Sequence, residues 1–444
     1  MKNTTAKDTS RNLFYRFVQE SFNKAELKSA RAVVLLGKEM LEIPFLDKLG
    51  IARHHITCIE EDRLIYQDLH LWNRRQSSKN SIELYGGELN DYLRFLVDRE
   101  QKVEIFNLDI CGSLQNNIFP RFENVIKLSN QQPKTVIGTY LSAARDAGVL
   151  VNAIQQTAWL LLFDPEFKTV IEKLVCYFET VGYDKQIAFT HTFRLMQWVY
   201  EMVRIMIQVN HPNRAKMTSL GRVPQGIWEL AYNGHKTMTW DRFVRAIESQ
   251  SPISSKIKNL EFETAPTKLF FLAYRSEKFT QLCHFVKMET KGPIKLERII
   301  KVMISGLMEF RFAEKDSGNI IIPPESKVES NFGSTVIMPK LSSNKLKKIK
   351  SVRGLKVPLT KLSTRPTKKQ DSEPTADKLV MPALPPKYAL WTKKTGFTKR
   401  GINFIKELGV LNPKIQVAEL AKFFPKAAPK RSLSAYLAHS HRSK

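Results

Sequence analysis

The chain has 444 residues, of which 43% are hydrophobic and 10% aromatic, enough for two or three domains with cores of their own. Its longest wholly apolar block, residues 158–163 (AWLLLF), is far too short to span a bilayer, and residues 1–17 hold no apolar signal region, so no membrane partner is expected and the compartment read from the sequence is the cytoplasm. The formal charge of +27 is unevenly placed: residues 331–444 carry 25 Lys and Arg against 5 Asp and Glu, or +20 of the total. Such a block beside a balanced body implies a polyanionic partner, and nucleic acid is the usual one, because phosphates reward clustered cations through counterion release. Four widely spaced cysteines with no Cys-x-x-Cys pair support neither a zinc ribbon nor a disulfide framework. His54-His55 and the His439/His441 pair are too isolated to argue for a metal.

Residues 12–30 have the spacing of an amphipathic helix and form an N-terminal segment, 1–30. Residues 32–36 (AVVLL) are a short, wholly apolar run, the mark of a buried parallel strand, and Gly37 ends it. A helix is expected over 42–49, a second strand over 56–59, ended by Glu60-Glu61-Asp62, and a helix over 63–72. A third strand is expected over 81–85, ended by Gly86-Gly87-Glu88, and then a helix over 90–99. A fourth strand over 103–108 ends at Asp109. A helix over 119–129 and a fifth strand over 135–140 follow. Strand and helix thus alternate through a doubly wound, mostly parallel α/β sheet, taken as residues 31–210.

Helices are expected over 152–162 and 167–181. The β-branched content of 187–194 and 203–210 points to two late strands, an antiparallel hairpin on the sheet edge. Residues 211–322 read as a mostly helical extension, with helices at 239–248, capped by Thr239, and at 295–310. Residues 323–387 combine Pro, Ser and Lys with few aromatics and read as a basic, disordered linker. Residues 388–444 read as a small basic module of three short helices, resembling a helix-turn-helix. The candidate phosphate contacts are Lys345, Lys347, Lys348, Lys350 and Arg353 in the linker, and Lys393, Lys394, Lys399, Arg400, Lys430, Arg431 and Arg442 in the module.

Glycine or acid follows nearly every candidate strand at its carboxyl end, where open α/β sheets bind ligands. Glu60 stands about 20 residues beyond the first turn, the place of an acid that grips a ribose diol. The first turn, GKEMLE, has one glycine where a pyrophosphate needs several, so an adenosine ligand without pyrophosphate fits better than a dinucleotide. Asp109, a lone acid ending an apolar strand, is the candidate catalytic or cofactor-facing residue.

This ordering, over residues 30–145, resembles the class I S-adenosylmethionine-dependent methyltransferases. The resemblance implies S-adenosylmethionine as cofactor. The loop after strand one (LLGKEMLE, with Gly37) would pass its methionine part, Glu60 would hold the ribose, Glu88 would address the adenine, and Asp109 in NLDICGSL (107–114) would face the transferred methyl. That last segment is similar to the Asp-Pro-Phe-Gly-Ser motif of tRNA guanine-N2 dimethyltransferases, with Ile-Cys in place of Pro-Phe. The acidic-x-Gly-x-Gly signature of strand one is missing. Three readings therefore stand at this level: a methyltransferase that acts on DNA or RNA bases; its rival, a non-enzymatic nucleic-acid-binding protein on a degenerate methyltransferase fold; and, least favoured, a structural or assembly protein with a disordered tail. Trp198, Trp228 and Trp240 are candidates to stack on a base, with core packing the plainer role for each.

Overall fold

The computed structural model describes residues 5–110, 119–143, 147–214, 239–276 and 280–322, together with the backbone of 391–392 and 396–397. The chain divides into two units, Met1–Val357 and Pro358–Lys444. In the second, the described part is a short antiparallel pair, Trp391–Thr392 with Gly396–Phe397. The linker, the three helices read in 388–444 and every candidate phosphate contact lie outside the described residues, as does Trp228.

The first unit is built on a sheet of nine strands: β1 (Ala32–Val34), β2 (Ile56–Glu60), β3 (Glu83–Gly86), β4 (Ile105–Leu108), β5 (Lys134–Ser142), β6 (Glu261–Arg275), β7 (Thr280–Lys295), β8 (Arg311–Ala313) and β9 (Ile320–Ile321). Their spatial order is 3-2-1-4-5-7-6-8-9. Strands β1 to β5 run parallel. β7 is antiparallel to both of its neighbours, β5 and β6. The β1 and β4 segments are short and apolar because they lie in the middle of the sheet with helices on both faces, and every residue in them is buried. This is a Rossmann-like α/β fold of the methyltransferase kind, as the alternation of strand and helix led us to expect. Between β1 and β4 the strand order reverses direction, which opens a crevice at their carboxyl ends.

Helices α1 (Thr5–Ser21) and α3 (Ile43–Leu49) cover one face; α5 (Leu89–Asp98), α6 (Phe119–Ser129), α7 (Ala147–Phe163), α8 (Phe167–Thr180) and α9 (Lys185–Asn210) build the larger core on the other. The helix expected over 12–30 is two helices. Asn23 accepts from the Ala25 and Glu26 amides while the Glu26 carboxylate takes the Asn23 amide, a capping box that ends one helix and starts α2 (Lys24–Ser29).

The late strands expected at 187–194 and 203–210 are instead one helix, α9, with Asp184 as its N-cap. Most of α9 is buried all round between α7, α8 and the sheet, and a helix buried on every side shows no polar stripe by which to recognise it. The antiparallel hairpin does exist, but β6 and β7 make it, from residues within the segment read as mostly helical. Both strands are buried over much of their length, so they lack the alternation of a half-exposed strand. Pro266 sits at a register shift in β6, where its missing N–H costs no ladder bond. Residue 210 is therefore not a boundary of the sheet, which continues to β9. Helices α10 (Trp240–Glu248), with the Thr239 hydroxyl accepting from the Arg242 amide, and α12 (Leu296–Met308) match expectation; the short α11 (Ser255–Lys258) lies between α10 and β6. Among the described residues no helix is long and apolar enough to cross a membrane.

Close approach fixes α1 to the sheet. Phe14 is fully buried against Phe285 of β7, with ring centroids 5.2 Å apart, and its ring lies directly over Gly138 of β5. A Cβ at position 138 would stand 2.5 Å from Phe14 Cε2. Gly138→Ala is therefore expected to cost about 1–3 kcal/mol through overpacking. Denaturant unfolding of the variant measures the loss.

Candidate active site

The crevice at the switch point is a cavity of about 510 Å³, within the range of small-molecule sites. Its floor is the carboxyl ends of β1, β2 and β4. Leu35–Glu42 form one wall, Glu60 and Glu61 a second, and Asp109 and Ile110 a third; Lys7 and Arg11 reach in from α1 and Arg121 from α6. The loop after β1 turns through two left-handed residues, Gly37 (φ +59°) and Met40 (φ +48°). Gly37 relieves only its own position, since a second left-handed residue in the same loop is not glycine.

Gly37, Glu60 and Asp109 are thus brought together. Glu60 is partly exposed to the cavity; one carboxylate oxygen accepts from the Asp62 amide at 2.8 Å. Asp62 in turn caps α4 (Arg63–Arg74) by accepting from the Leu64 and Ile65 amides. This capping turn fixes where Glu60 leaves the strand and leaves its second oxygen without a hydrogen-bond partner among the described residues. Glu88 is not brought in. It is exposed at the N-terminus of α5, and its neighbours Gly87 and Leu89 line the cavity in its place.

Four further charged residues escaped the sequence reading. Lys7 Nζ lies 2.5 Å from Asp109 Oδ2, with the two side chains only 13% and 17% exposed. Arg11 Nε lies 2.8 Å from Glu42 Oε1, both side chains 7% exposed, and Arg11 also reaches Asp8 at 2.7 Å. The Asn107 amide donates to the second Glu42 oxygen at 3.0 Å and to the Tyr15 hydroxyl at 3.1 Å. Arg121 lines the cavity with a buried Nε that has no hydrogen-bond partner among the described residues. The only signal for Lys7 and Arg11 was their i, i+4 spacing on one helix face, which is also what a solvated face shows.

Burial holds the Glu42 carboxyl above its ordinary range, Arg11 draws it back, and Asp109 pushes it up. Burial also raises the Tyr15 and Tyr140 hydroxyls well above the usual phenol value. The charged lining thus alternates in sign: acids on the strand ends, cations from the helices. Trp198 and Trp240 do not face this cavity. Trp198 is buried and stacks on His284 at 4.5 Å, and the buried Trp240 indole donates to Glu172. Burial pushes the His284 imidazole down to about 3, so it is a neutral core residue.

No protein-family model matches the chain, and no curated protein matches it. A search of solved structures returns the plantazolicin methyltransferase BamL in complex with a triazolic desmethylPZN analogue and SAH, at 9% sequence identity and a TM-score of 0.26, over 65% of this chain and 85% of that one. A likeness at that level carries nothing over to this chain, whose fold rests on its own strand order.

The Arg11–Glu42 pair yields a test. In Arg11→Met the buried carboxyl loses its cation, and its folded-state pKa rises further above the unfolded value. The folded state then holds that proton more tightly than the unfolded one, so the penalty is largest at high pH. It relaxes as pH falls through the raised folded value toward the ordinary carboxylate range. Expected is a loss of about 3–5 kcal/mol at pH 8 and a smaller loss at pH 5, read from urea unfolding at both pH values.

Proposed function

We propose that the chain is an S-adenosylmethionine-dependent methyltransferase that acts on a base of DNA or RNA held by its basic C-terminal region. The observation that carries the first half is the cavity at the switch point of a methyltransferase-type sheet, with an acid after β2 and another after β4. The residues suit this cofactor. Glu60 offers a carboxylate oxygen to ribose hydroxyls, the apolar side chains of Ile59, Ile65 and Leu89 offer a slot for a flat ring, and Arg121 offers an unpartnered donor to a carboxylate. Bound there, the cofactor would supply an electrophilic methyl group on a sulfonium centre.

What the chain itself does is position and screen. Asp109, at the end of β4, faces the acceptor and takes hydrogen bonds from an attacking amine or its neighbours. Lys7 orients Asp109 through their ion pair. Alignment of two bound reactants supplies much of the rate for a transfer that needs little acid–base work. Glu88 enters this reading only through its backbone neighbours.

The nucleic-acid half rests on the +20 carried by residues 331–444. A tethered cationic region raises the local concentration of substrate at the cleft. A base within a duplex would have to be flipped out to reach Asp109. The rival, a non-enzymatic binder on the same fold, is favoured by one observation: the first loop has a single glycine, and its second left-handed residue is Met40.

Three measurements test the proposal. Glu60→Ala is expected to weaken S-adenosylmethionine binding by about 1.5–3 kcal/mol, as for the loss of a charge-assisted hydrogen bond, and Asp109→Asn to abolish transfer of labelled methyl to nucleic acid at a temperature below its own unfolding midpoint, which falls with the loss of the Lys7 pair. Unchanged transfer in Asp109→Asn would remove that residue from the mechanism. Deleting residues 340–444 is expected to weaken nucleic-acid binding by orders of magnitude and to flatten the slope of log affinity against log salt, since each phosphate contact contributes about 0.9 to that slope on duplex DNA. A truncated protein that keeps both affinity and slope would make the charge block a solubilising tail.

A further inference from the structure

Beside the cavity, on the face that α1 covers, lies a patch of buried polar side chains that the reading above does not use. Asn107 of β4 pairs in register with Gly138 of β5. Tyr140, two residues on from Gly138, points to the same side and stands opposite Cys283 of β7. Gln281, two residues before Cys283, shares that side and stands opposite Ser142. The three side chains therefore line one face at the carboxyl end of the parallel strands, and Tyr140 is within electrostatic reach of Asp109 and Glu42.

Asn107 and Tyr140 are 2% exposed and Gln281 is 1% exposed. Yet the Asn107 Oδ1, the Tyr140 hydroxyl and both polar atoms of the Gln281 amide have no hydrogen-bond partner among the described residues. Buried polar groups are almost always paired, so four unpaired atoms on one face call for a partner from outside the chain. The set is neutral: two amides and a phenol, offering both donors and acceptors. A phosphate or carboxylate would call for cations. A planar heterocycle with a donor and acceptor edge would pair with an amide and a hydroxyl, as flipped bases do.

The cover over this patch is weakly apolar. From Phe14 onward α1 is anchored by Phe14, Tyr15, Phe17 and Val18. Ahead of Phe14 the fully buried apolar residue is Ala6, and polar links include Lys7 to Asp109, Arg11 to Glu42, and the Thr9 hydroxyl to the Gly318 carbonyl at 3.0 Å. Lifting these two turns exposes little apolar surface, so the cost of opening lies mainly in separating the ion pairs to Asp109 and Glu42.

We infer that Asn107, Tyr140 and Gln281 form the acceptor subsite for a nucleobase, with the first two turns of α1 as the strap that closes over it. This rests on the nucleic-acid half of the proposed function and names the residues that read the base. The strap carries Lys7 away from Asp109 when it lifts, so entry of the base and release of Asp109 are one event.

The test titrates the full chain calorimetrically with guanosine, cytidine, uridine and adenosine in turn, alone and with S-adenosylhomocysteine present so that adenosine cannot report the donor cavity. The near-isosteric variants Gln281→Leu and Tyr140→Phe are carried alongside. Expected is binding of at least one nucleoside, weakened tenfold or more in each variant, while S-adenosylhomocysteine binding is unchanged. The unfolding midpoints should stay level or rise, because an unpaired buried polar group has been removed. No binding of any nucleoside, or wild-type affinity in both variants, overturns the subsite. Nucleoside binding as expected without any response to S-adenosylhomocysteine leaves the subsite standing and removes the donor reading instead.

Discussion

Asp109 stands at the end of β4 and Glu42 at the start of α3, and two cations of α1 stand against them. Lys7 on Asp109 and Arg11 on Glu42 are the constraint on which the rest of the first unit depends. Charges this deeply buried are tolerated only when paired. The pairing sets the distance of α1 from the sheet, and that distance is already at its minimum where Phe14 meets Gly138. The same pairs make one wall of the cavity. A helix that looks like a simple cover is therefore part of the site, and stability and chemistry share the same four side chains.

The sheet explains why the acids are there. Parallel strands end together, and the reversal of order between β1 and β4 leaves the loops on either side pointing apart. Whatever residues follow β1, β2 and β4 must face that gap. Glu60 is held by the capping turn at Asp62, and Asp109 by the end of a wholly buried strand and by Lys7. The helices packed on the far face, above all α9, carry apolar weight and contribute little to the cavity. This division leaves the strand ends free to carry charge without weakening the core.

Much of this was legible in the residues. Short apolar runs such as AVVLL and VEIFNL, each followed by Gly or acid, place the strands and the face on which ligands gather. Gly37, Glu60 and Asp109 follow from that alone. Helix 119–129 and the Thr239 cap were readable because their patterns are local. What failed was non-local or doubly buried. Residues 185–210 are apolar on all sides, so neither a helical nor a strand period stands out, and β-branched content misled. The β6–β7 hairpin is long and buried on both faces, and its pairing with β5 spans more than a hundred residues of chain. Glu88 looked equivalent to Glu60 because both end a strand-turn, but the chain enters α5 so that its backbone neighbours face the cavity. Lys7 and Arg11 were invisible as site residues because only the packing of α1 tells a buried helix face from a solvated one.

Every role proposed for Glu60, Arg121 and Asp109 requires that the cavity between β1 and β4 hold S-adenosylmethionine. Isothermal titration of the full chain with that cofactor tests it most directly. The account predicts saturable heat with a stoichiometry of about one, accompanied by a rise in the unfolding midpoint, as mass action requires of any ligand that binds only the folded state. Absence of both heat and midpoint shift at millimolar cofactor would contradict it and leave the non-enzymatic reading of this fold.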